Sequence, residues 1–503
     1  MTLFADVVTA SAGVAATQSR SAKVAILAEL LGRLEPAEVP VVVGVLSGVP
    51  RQGRVGVGYA TVRAIERPPA AAPSLTVDDV DRAISEVDAA IGSGSTARRR
   101  ELLEALLGQA TQPEAAFLVG LLTGGLRQGA LAGVMADAVA KAAGVSGTIA
   151  RRALMLSGDL TEMAQIAMTS GEKGLRAVGF EIFRPILPML ASTGATVADA
   201  LQGMELASVE FKLDGIRIQI HRREDEVRIY TRNLNEITDT LPGIVAAVRG
   251  LPVRQAVLDG EALWMDAGGP APFQYTVSQI DSGAPPDGIV TFLFDVLHVD
   301  GEDVLDTPLA ERAARLREIA PAQTIPGILT RDAAAAQRVL DDAIAAGHEG
   351  VVVKDAASVY AAGRRGRAWR KVKPVRTYDL VVLGAEWGHG RRRGWLSNLH
   401  LGARDPDTGA FVMVGKTFKG LTDELLRWQT DALLARETER HGIAVMVRPE
   451  LVVEIALDGV QSSTRYPGGI ALRFARVKRY RPDKAALDAD VIADLRALLP
   501  TRS

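Results

Sequence analysis

Cysteine is absent from this chain of 503 residues. Its absence excludes disulfide bonds, thiolate zinc sites and cysteine nucleophiles. No apolar run is long enough to span a membrane, and the N-terminus, Met1 to Asp6, has no basic region before an apolar core, unlike a secretory signal. The six histidines lack the spacing of metal ligands. These absences predict a cytoplasmic protein without a membrane segment.

Net charge is also nearly absent, because 58 basic residues face 60 acidic ones and leave a formal charge of −2. That balance hides local bias. Segment 364–376 carries many basic residues and no acid, residues 391–393 are arginines, and a further basic cluster occupies 473–484. Trp369 and Tyr480 lie within these clusters. Basic residues mixed with aromatic ones favour phosphate binding over plain solubility, so we expect a nucleic acid partner.

The length predicts roughly three domains, since a single hydrophobic core rarely serves so long a chain. In the first part, apolar residues recur at helical spacing, as in the stripe from Val80 to Ile91. Near Pro185 the period changes to the alternation of antiparallel hairpins, and strand-like runs return after Pro374. We therefore predict a multidomain α+β protein with domains at 1–178, 179–375 and 376–503.

Individual elements are predicted from the same patterns. A helix is expected over 308–319 with Thr307 as its cap, and another over 422–438. The last part is predicted to be a small five-stranded barrel of the oligonucleotide-binding (OB) type. Its expected strands include 380–383, 399–402, 411–414 and 451–457.

Residues Gly409 to Thr417 end like a phosphate-binding loop. However, the first glycine lies one residue too far away, and the residues between are typical of a strand rather than a glycine-rich loop. We therefore discount a phosphate loop and expect Lys416 to face DNA or solvent.

The octapeptide from Glu210 to Arg217 places a single lysine, Lys212, between Phe211 and Leu213. An acid and a glycine follow it closely. A free lysine has a pKa of about 10.4, so an enzyme that uses lysine as a nucleophile must bury the amine or place cations beside it. The apolar surroundings of Lys212 indicate a desolvated amine, in contrast to a strand lysine that points to solvent.

Four further clusters carry the residue types that nucleotidyl transfer needs. Asp259 and Glu261 lie in a buried strand, and Glu349 and Lys354 flank another. Lys371 and Lys373 alternate, so they should share one strand face. Arg481 and Lys484 form a compact basic pair near the C-terminus. Each cluster alone would be weak evidence.

In this order, the clusters resemble the nucleotidyltransferase motifs of ATP-dependent DNA ligases. The matching segments are Lys212 to Arg217, Thr231 to Asn233 (with Thr where Ser is commoner), Asp259 to Glu261, Phe294-Asp295, Glu349 to Lys354, Lys371 to Lys373 and Arg481 to Lys484. The resemblance covers nearly the whole chain and implies an all-α N-terminal DNA-binding domain, an α+β adenylation domain with antiparallel sheets, and a C-terminal OB-fold β-barrel. One departure is Ala475, where many relatives have proline.

The resemblance implies that Lys212 is the catalytic nucleophile and takes AMP from ATP as a lysyl–AMP intermediate. Glu210 would read the adenine edge, and Phe294 would stack on the ring. The other implied nucleotide-binding residues are Arg217, Arg232, Glu261, Arg365, Lys371, Lys373, Arg481 and Lys484. Glu261 and Glu349 would bind Mg²⁺, a hard ion that prefers carboxylate and phosphate oxygens. The last motif would close over the site in the first step, which implies that the last domain moves.

The implied substrate is nicked double-stranded DNA, which a monomer would encircle. Two alternatives share some of these features. An RNA ligase or RNA-capping guanylyltransferase also uses a lysine–x–aspartate–glycine motif, but the long helical N-terminal region disfavours both. A non-catalytic nucleic-acid clamp is disfavoured because Lys212, Glu349 and Lys371 are all present. An NAD⁺-dependent ligase is disfavoured because that class carries a zinc-binding cysteine cluster.

Overall fold

The structure, a computed structural model, describes residues 1–53, 55–58, 61–62, 65, 68–126, 132–266, 269–271, 273–281, 288–362, 365–374 and 376–499. The chain forms two compact units. The first comprises residues 1–264, 273–342 and 351–371, and the second comprises 265–272, 343–350 and 372–503. Among the described residues, no helix is long and apolar enough to cross a membrane.

The first unit begins with a helical region. Its helices are α1 (Phe4–Ala16), α2 (Arg20–Leu31), α3 (Val39–Ser47), α4 (Val77–Ala89), α5 (Ser95–Gln109), α6 (Gln112–Leu122), α7 (Ala132–Ala142), α8 (Gly147–Ser157) and α9 (Leu160–Arg176). Their apolar faces meet in one core, in which Val7, Leu27 and Leu118 are fully buried. The helices predicted from the apolar spacing in this region are therefore present, and their apolar residues pack in this core.

Helix α4 shows how local sequence sets an element's ends. The Thr76 hydroxyl accepts from the backbone N–H of Asp79, whose carboxylate accepts from the Thr76 N–H in return. This capping box starts the helix. The predicted stripe is correct only up to Val87, because Ala90 leaves the helical conformation (φ −74°, ψ 95°). Ile91 consequently lies beyond the helix and is 84% exposed.

The stretch after α9 is fastened to the sheets that follow it. Phe183 has a positive φ of 74°. Its N–H donates to Nδ1 of His221 (2.9 Å), and its carbonyl accepts from the Tyr230 hydroxyl (2.9 Å). The N–H of Ile186 donates to Oε1 of Gln219 (2.9 Å). Side chains of the sheet thus satisfy backbone groups that no helix or strand ladder pairs.

Residues 190–372 contain most of the strands that build the candidate site. They are β1 (Leu190–Thr193), β2 (Ala207–Lys212), β3 (Ile216–Arg223), β4 (Glu226–Thr231), β5 (Gln255–Asp266), β6 (Gly269–Pro270), β7 (Ile289–Val299), β8 (Glu302–Asp303), β9 (Gly327–Thr330), β10 (Gly350–Asp355) and β11 (Arg365–Val372). One sheet has the strand order β1-β11-β10-β2-β9, and the other has the order β4-β3-β5-β7-β8. The second sheet is antiparallel throughout, as the alternation in its sequence predicts.

Five helices accompany these strands among the described residues. They are α10 (Val197–Leu201), α11 (Pro242–Arg249), α12 (Phe273–Asp281), α13 (Leu309–Ile319) and α14 (Ala333–Ala345). The helix predicted over 308–319 exists, but Thr307 is not its cap. Pro308 occupies that position in an extended conformation (φ −55°, ψ 145°), and the Thr307 hydroxyl instead donates to the carbonyl of Val304 (2.8 Å).

The second unit is rich in β-structure. Its further elements are β12 (Arg376–Trp387), β13 (Leu396–Arg404), β14 (Phe411–Thr417), α15 (Asp423–Leu434), β15 (Glu437–His441), β16 (Ala444–Val447), β17 (Val452–Leu457), β18 (Gly459–Ser462), β19 (Ile470–Arg473), β20 (Arg476–Tyr480) and α16 (Ile492–Arg496). The long strand β12 pairs with β13, β16 and β17, which curls the antiparallel sheet. This sheet has seven strands instead of the predicted five.

Two sequence expectations in this unit are corrected. The helix predicted over 422–438 ends at Leu434, because residues Glu437–His441 pair with Ala444–Val447 as a hairpin. Lys416 does not simply face DNA or solvent, since its ammonium forms an ion pair with Glu386. The strand predicted in place of a phosphate loop is β14.

The predicted fold class is confirmed. A helical region is followed by a region of two sheets and by a C-terminal region with a curled antiparallel sheet. The predicted domain boundaries, after residues 178 and 375, stay a prediction.

Candidate active site

The first unit holds a cavity of about 550 Å³ lined by strands of both of its sheets. That volume suits a small-molecule ligand, and the lining combines apolar and aromatic side chains with a limited set of charges. The aromatic lining residues are Phe211, Phe294 and Trp369. The charged lining residues are Glu210, Lys212, Arg217, Arg232, Glu261, Lys354 and Lys371.

Lys212 reaches the cavity from the end of β2. The turn from Leu213 to Gly215 connects β2 to β3, so the predicted strand–turn–strand is present. A Cβ at Gly215 would collide with the carbonyl oxygen of Ala262, so glycine allows this turn to lie directly on β5. Lys212 is half-buried, and its amine donates to the carbonyl of Leu213 (3.2 Å).

Glu261 lines the cavity and has a shifted pKa. Its Oε1 accepts from the backbone N–H of Gly215 (3.2 Å). Burial raises the pKa of Glu261 to about 7, although the charges of Lys212 and Arg217 act in the opposite direction. A carboxylate this poorly solvated gains from any cation that enters the cavity.

Arg217 is held rigidly at the cavity wall. Its guanidinium binds both oxygens of Asp259 (2.9 and 2.6 Å) and donates to the carbonyl of Met189 (2.5 Å). Burial opposes the charge, but Asp259 outweighs it and raises the pKa of Arg217. The Tyr360 hydroxyl donates to Asp259 (2.7 Å), and burial together with that carboxylate raises the pKa of Tyr360 well above its ordinary value. Arg217 is therefore a fixed cation.

Glu210 forms a buried ion pair with Lys354 (2.5 Å) and accepts from the Ser208 hydroxyl (2.7 Å). The Lys354 ammonium also donates to the carbonyl of Phe294 (3.2 Å). It lies 4.4 Å from the ring centroid of Phe294 and 4.3 Å from that of Trp369. These contacts fix the position of the carboxylate and of the aromatic wall together.

The structure brings most of the predicted site residues to this one cavity. Those that line it are Lys212, Glu210, Arg217, Arg232, Glu261, Phe294 and Lys371. Arg365 starts β11, but its side chain lies outside the described residues. Four predicted residues belong to the second unit, namely Glu349, Lys373, Arg481 and Lys484.

Lys371 and Lys373 do not share a strand face as predicted. Strand β11 ends at Val372, so Lys373 follows it. The Lys373 ammonium pairs with Oε1 of Glu349 (2.6 Å) and lies 3.7 Å from Asp458. The alternation of cations alone does not show where β11 ends.

Arg481 and Lys484 do form a compact pair, held by one carboxylate. Asp379 Oδ2 lies 2.8 Å from the Arg481 guanidinium and 2.6 Å from the Lys484 ammonium. Arg481 also pairs with Asp483 (2.6 Å). Asp379, which comes from β12, thus organises the basic motif of the second unit.

Two residues outside the predicted site support it. Lys354 lines the cavity, and Tyr360 holds Asp259, the partner of Arg217. The signal for Lys354 was available, since it interrupts an apolar strand as Lys212 does. Tyr360 carries no comparable signal, because its importance lies in the contact with Asp259.

Family comparisons match all three parts of the chain. Residues 51–140 match the DNA ligase N terminus, residues 188–373 the ATP dependent DNA ligase domain, and residues 392–484 the ATP dependent DNA ligase C terminal region. A probable DNA ligase of Rhodococcus opacus (strain B4) is 56% identical over 99% of this chain and 100% of its own length. A probable DNA ligase of Saccharopolyspora erythraea is 56% identical over 99% of this chain and 98% of its own length.

Among solved structures, Pmar-Lig_PreS3 has the same fold with a TM-score of 0.62. It is 18% identical, and the match covers 94% of this chain and 99% of that one. The match to the two probable DNA ligases extends over essentially the full length of the chain. On this evidence the chain belongs to the ATP-dependent DNA ligases, the family whose members act on DNA through a lysyl–AMP intermediate.

Proposed function

We propose that this ligase seals nicks in double-stranded DNA and that Lys212 is the residue that carries the AMP. The observation that supports the assignment is the position of Lys212 in a cavity that also contains Glu210, aromatic walls and several cations. Glu210 is the carboxylate proposed to recognise the adenine. The Lys212 nitrogen would attack the α-phosphorus of ATP after losing a proton. A P–N bond would form as the bond to the β-phosphate oxygen breaks and pyrophosphate leaves.

The surrounding cations would stabilise the charge that develops on the phosphates. Arg217 is fixed by Asp259, so it is preorganised before ATP arrives. Lys371 lines the same cavity. Arg232 lies at the exposed rim. We assign the same role to Arg365, Lys373, Arg481 and Lys484 by their place in the motifs. Glu210 would accept from the adenine amine, and Phe294 would stack on the base.

The donor set of the cavity fits Mg²⁺. This ion usually binds through one or two carboxylates together with phosphate oxygens and water, without a full cage of protein ligands. Accordingly, the part of the chain that the structure describes has no cluster of three or more acidic or histidine side chains that could hold a metal. The proposed ligands are Glu261, which lines the cavity, and Glu349, which is assigned by its place in its motif. When bound, the ion would neutralise charge on the ATP phosphates.

The later steps would use the nick itself. A 5′-phosphate oxygen would attack the AMP phosphorus and break the P–N bond, which returns Lys212 to its free form. The neighbouring 3′-hydroxyl would then attack the activated phosphate, seal the strand and release AMP. The basic clusters support DNA binding. We propose that the protein acts in the cytoplasm, as a monomer that closes around the duplex. Because phosphate contacts release counterions, affinity should fall steeply between about 50 and about 200 mM salt.

The test is covalent labelling. The purified protein is mixed with Mg²⁺ and α-labelled ATP or α-labelled GTP, denatured, and examined for retained label. We expect label from ATP, none after Lys212→Ala, and discharge of the label when nicked DNA is added. Lys173→Ala, which removes an exposed lysine from α9, is the matched control and should label normally.

Each other outcome has a definite meaning. Label from GTP would favour a capping-type transferase. Absence of label with intact DNA binding would favour a clamp. Label that survives Lys212→Ala would reject Lys212 as the nucleophile while leaving the family assignment unchanged.

A further inference from the structure

We propose that Lys354 and Ser208 are positioning residues that hold Glu210 as a pure hydrogen-bond acceptor and thereby set the preference for ATP over GTP. The inference rests on the proposed function, in which Glu210 meets the purine base. It adds two residues that act through Glu210 to the determinants of nucleotide choice.

The two partners occupy both oxygens of the Glu210 carboxylate. The Ser208 hydroxyl donates to Oε1 (2.7 Å), and the Lys354 ammonium pairs with Oε2 (2.5 Å). Ser208 and Glu210 lie two residues apart on β2 and so face the same side of the sheet. Lys354 lies on β10, the neighbour of β2. All three residues are at most 5% exposed, so bulk water does not screen these contacts.

The position of the carboxylate is also fixed from the opposite side. Gly327 on β9 lies directly opposite Glu210 in the strand register. A Cβ at Gly327 would lie 2.6 Å from the carbonyl of Val209 and 3.0 Å from the Glu210 Cγ. A larger residue would therefore displace Glu210. Strands on both sides of β2 thus constrain the side chain.

The chemistry of the purines makes this arrangement selective. At position 6, adenine carries an amino group that donates, whereas guanine carries a carbonyl oxygen that accepts. An ionised carboxylate has remaining lone pairs but no proton, so it can accept from adenine and repels the guanine oxygen. A protonated carboxyl or an amide could donate to guanine. Both the Lys354 ammonium and the Ser208 hydroxyl donate to Glu210, an arrangement that suits a carboxylate acting only as an acceptor.

Several contacts hold the Lys354 ammonium beside Glu210. Its ammonium is satisfied by Glu210, by the carbonyl of Phe294 (3.2 Å) and by the faces of Phe294 and Trp369. The same contacts place the proposed stacking ring beside the proposed base reader. Removing the cation would leave Oε2 of a buried carboxylate without its partner, so Glu210 would no longer be held in place.

The experiment compares covalent labelling from α-labelled ATP and α-labelled GTP in Lys354→Met, Ser208→Ala and the double variant Glu210→Gln/Lys354→Met. The double variant removes both charges, so it leaves no unpaired buried charge and guards against a folding failure of the single one. The control is Lys416→Met, which breaks the Lys–Glu ion pair with Glu386 in the second unit. The ratio of ATP to GTP labelling rates is the readout, since a general loss of stability lowers both rates together.

We expect the ratio to fall about 10- to 100-fold in Lys354→Met and in the double variant, as expected for a lost or mismatched buried hydrogen bond. Ser208→Ala should lower it less, and Lys416→Met should leave it unchanged. An unchanged ratio in Lys354→Met and in the double variant would overturn this inference while the lysyl–AMP assignment stands. Absence of ATP label in the unmodified protein would instead overturn the proposed function, and the inference with it.

Discussion

Acidification should weaken the first unit through one buried histidine, His221 on β3. The side chain is fully buried, and its Nδ1 accepts from the N–H of Phe183 (2.9 Å). Its Nε2 lies 2.8 Å from Oε1 of Gln219. An imidazole with one accepting and one donating nitrogen is neutral. Burial lowers the pKa of His221 to about 3, and the nearby His298 adds to the effect.

The size and sign of the effect follow from linkage. In the unfolded chain His221 has a pKa of 6.5, so between pH 6.5 and about 3 the unfolded state binds more protons than the folded state. Stability is therefore fully present above pH 6.5 and falls as the pH drops through this window. At pH 5 the loss is about 2 kcal/mol, because each pH unit below 6.5 is worth about 1.4 kcal/mol.

The assay is native-state hydrogen exchange of peptides from β3, read by mass spectrometry at pH 7.5 and pH 5 after correction for intrinsic exchange rates. Local exchange is preferable to a melting curve, because a chain with two units need not unfold in one step. His221→Gln removes the titrating ring and costs about 1 kcal/mol at pH 7.5 through the altered hydrogen bond to Phe183. Its opening free energy should then change about 2 kcal/mol less between the two pH values than that of the unmodified chain.

The control is His441→Gln, which removes an exposed histidine of the second unit. It should leave the pH response of β3 unchanged. An equal pH response in His221→Gln and the unmodified chain would refute the linkage argument, since no other histidine contacts Phe183 through its ring nitrogen among the described residues.

Two further changes test the frame around the cavity. Arg312→Met removes the partner of Asp295, and both side chains are fully buried with two short contacts (2.7 and 3.0 Å). We expect the opening free energy of β7 peptides in hydrogen exchange to fall by about 3–5 kcal/mol and to be largely recovered in Arg312→Met/Asp295→Asn. A loss below about 1 kcal/mol, within the range of surface pairs, would contradict this expectation. Gly327→Ala forces a Cβ against the Val209 carbonyl, so we expect an opening free energy of β9 peptides lower by about 1–3 kcal/mol. An unchanged opening free energy would show that β9 can move away freely.

The sequence was most informative where chemistry and position coincide within a few residues. Lys212 could be placed in a strand–turn–strand because one short segment contains both its apolar neighbours and the turn residues Asp214 and Gly215. The order of the motifs then predicted that Glu261, Phe294 and Lys371 belong to the same site. In the structure all three line one cavity. Local pattern and motif order were enough for these residues.

Contacts between distant segments were beyond such reasoning. The ion pair of Glu210 with Lys354 depends on β10 lying beside β2, and sheet order is not written in the alternation of either strand. The prediction that Lys373 shares a strand face with Lys371 is wrong because β11 ends at Val372, and the alternation of cations does not show that end. The overlong helix after Thr422 has the same origin, since a hairpin with β16 competes successfully with helix propensity there.

The strand order of the sheet that carries Lys212 has a consequence for biosynthesis. Strand β2 lies between β9 and β10, and β10 in turn pairs with β11, which ends at Val372. During translation Lys212 therefore emerges 160 residues before the sheet around it is complete, the interval from position 212 to position 372. At ribosomal speeds that interval lasts roughly 10–30 s. The helical region can already fold during this interval, while both edges of β2 stay unpaired until β9 is synthesised and one edge until β10 follows. The growing chain is therefore exposed to strand mispairing and to chaperone binding.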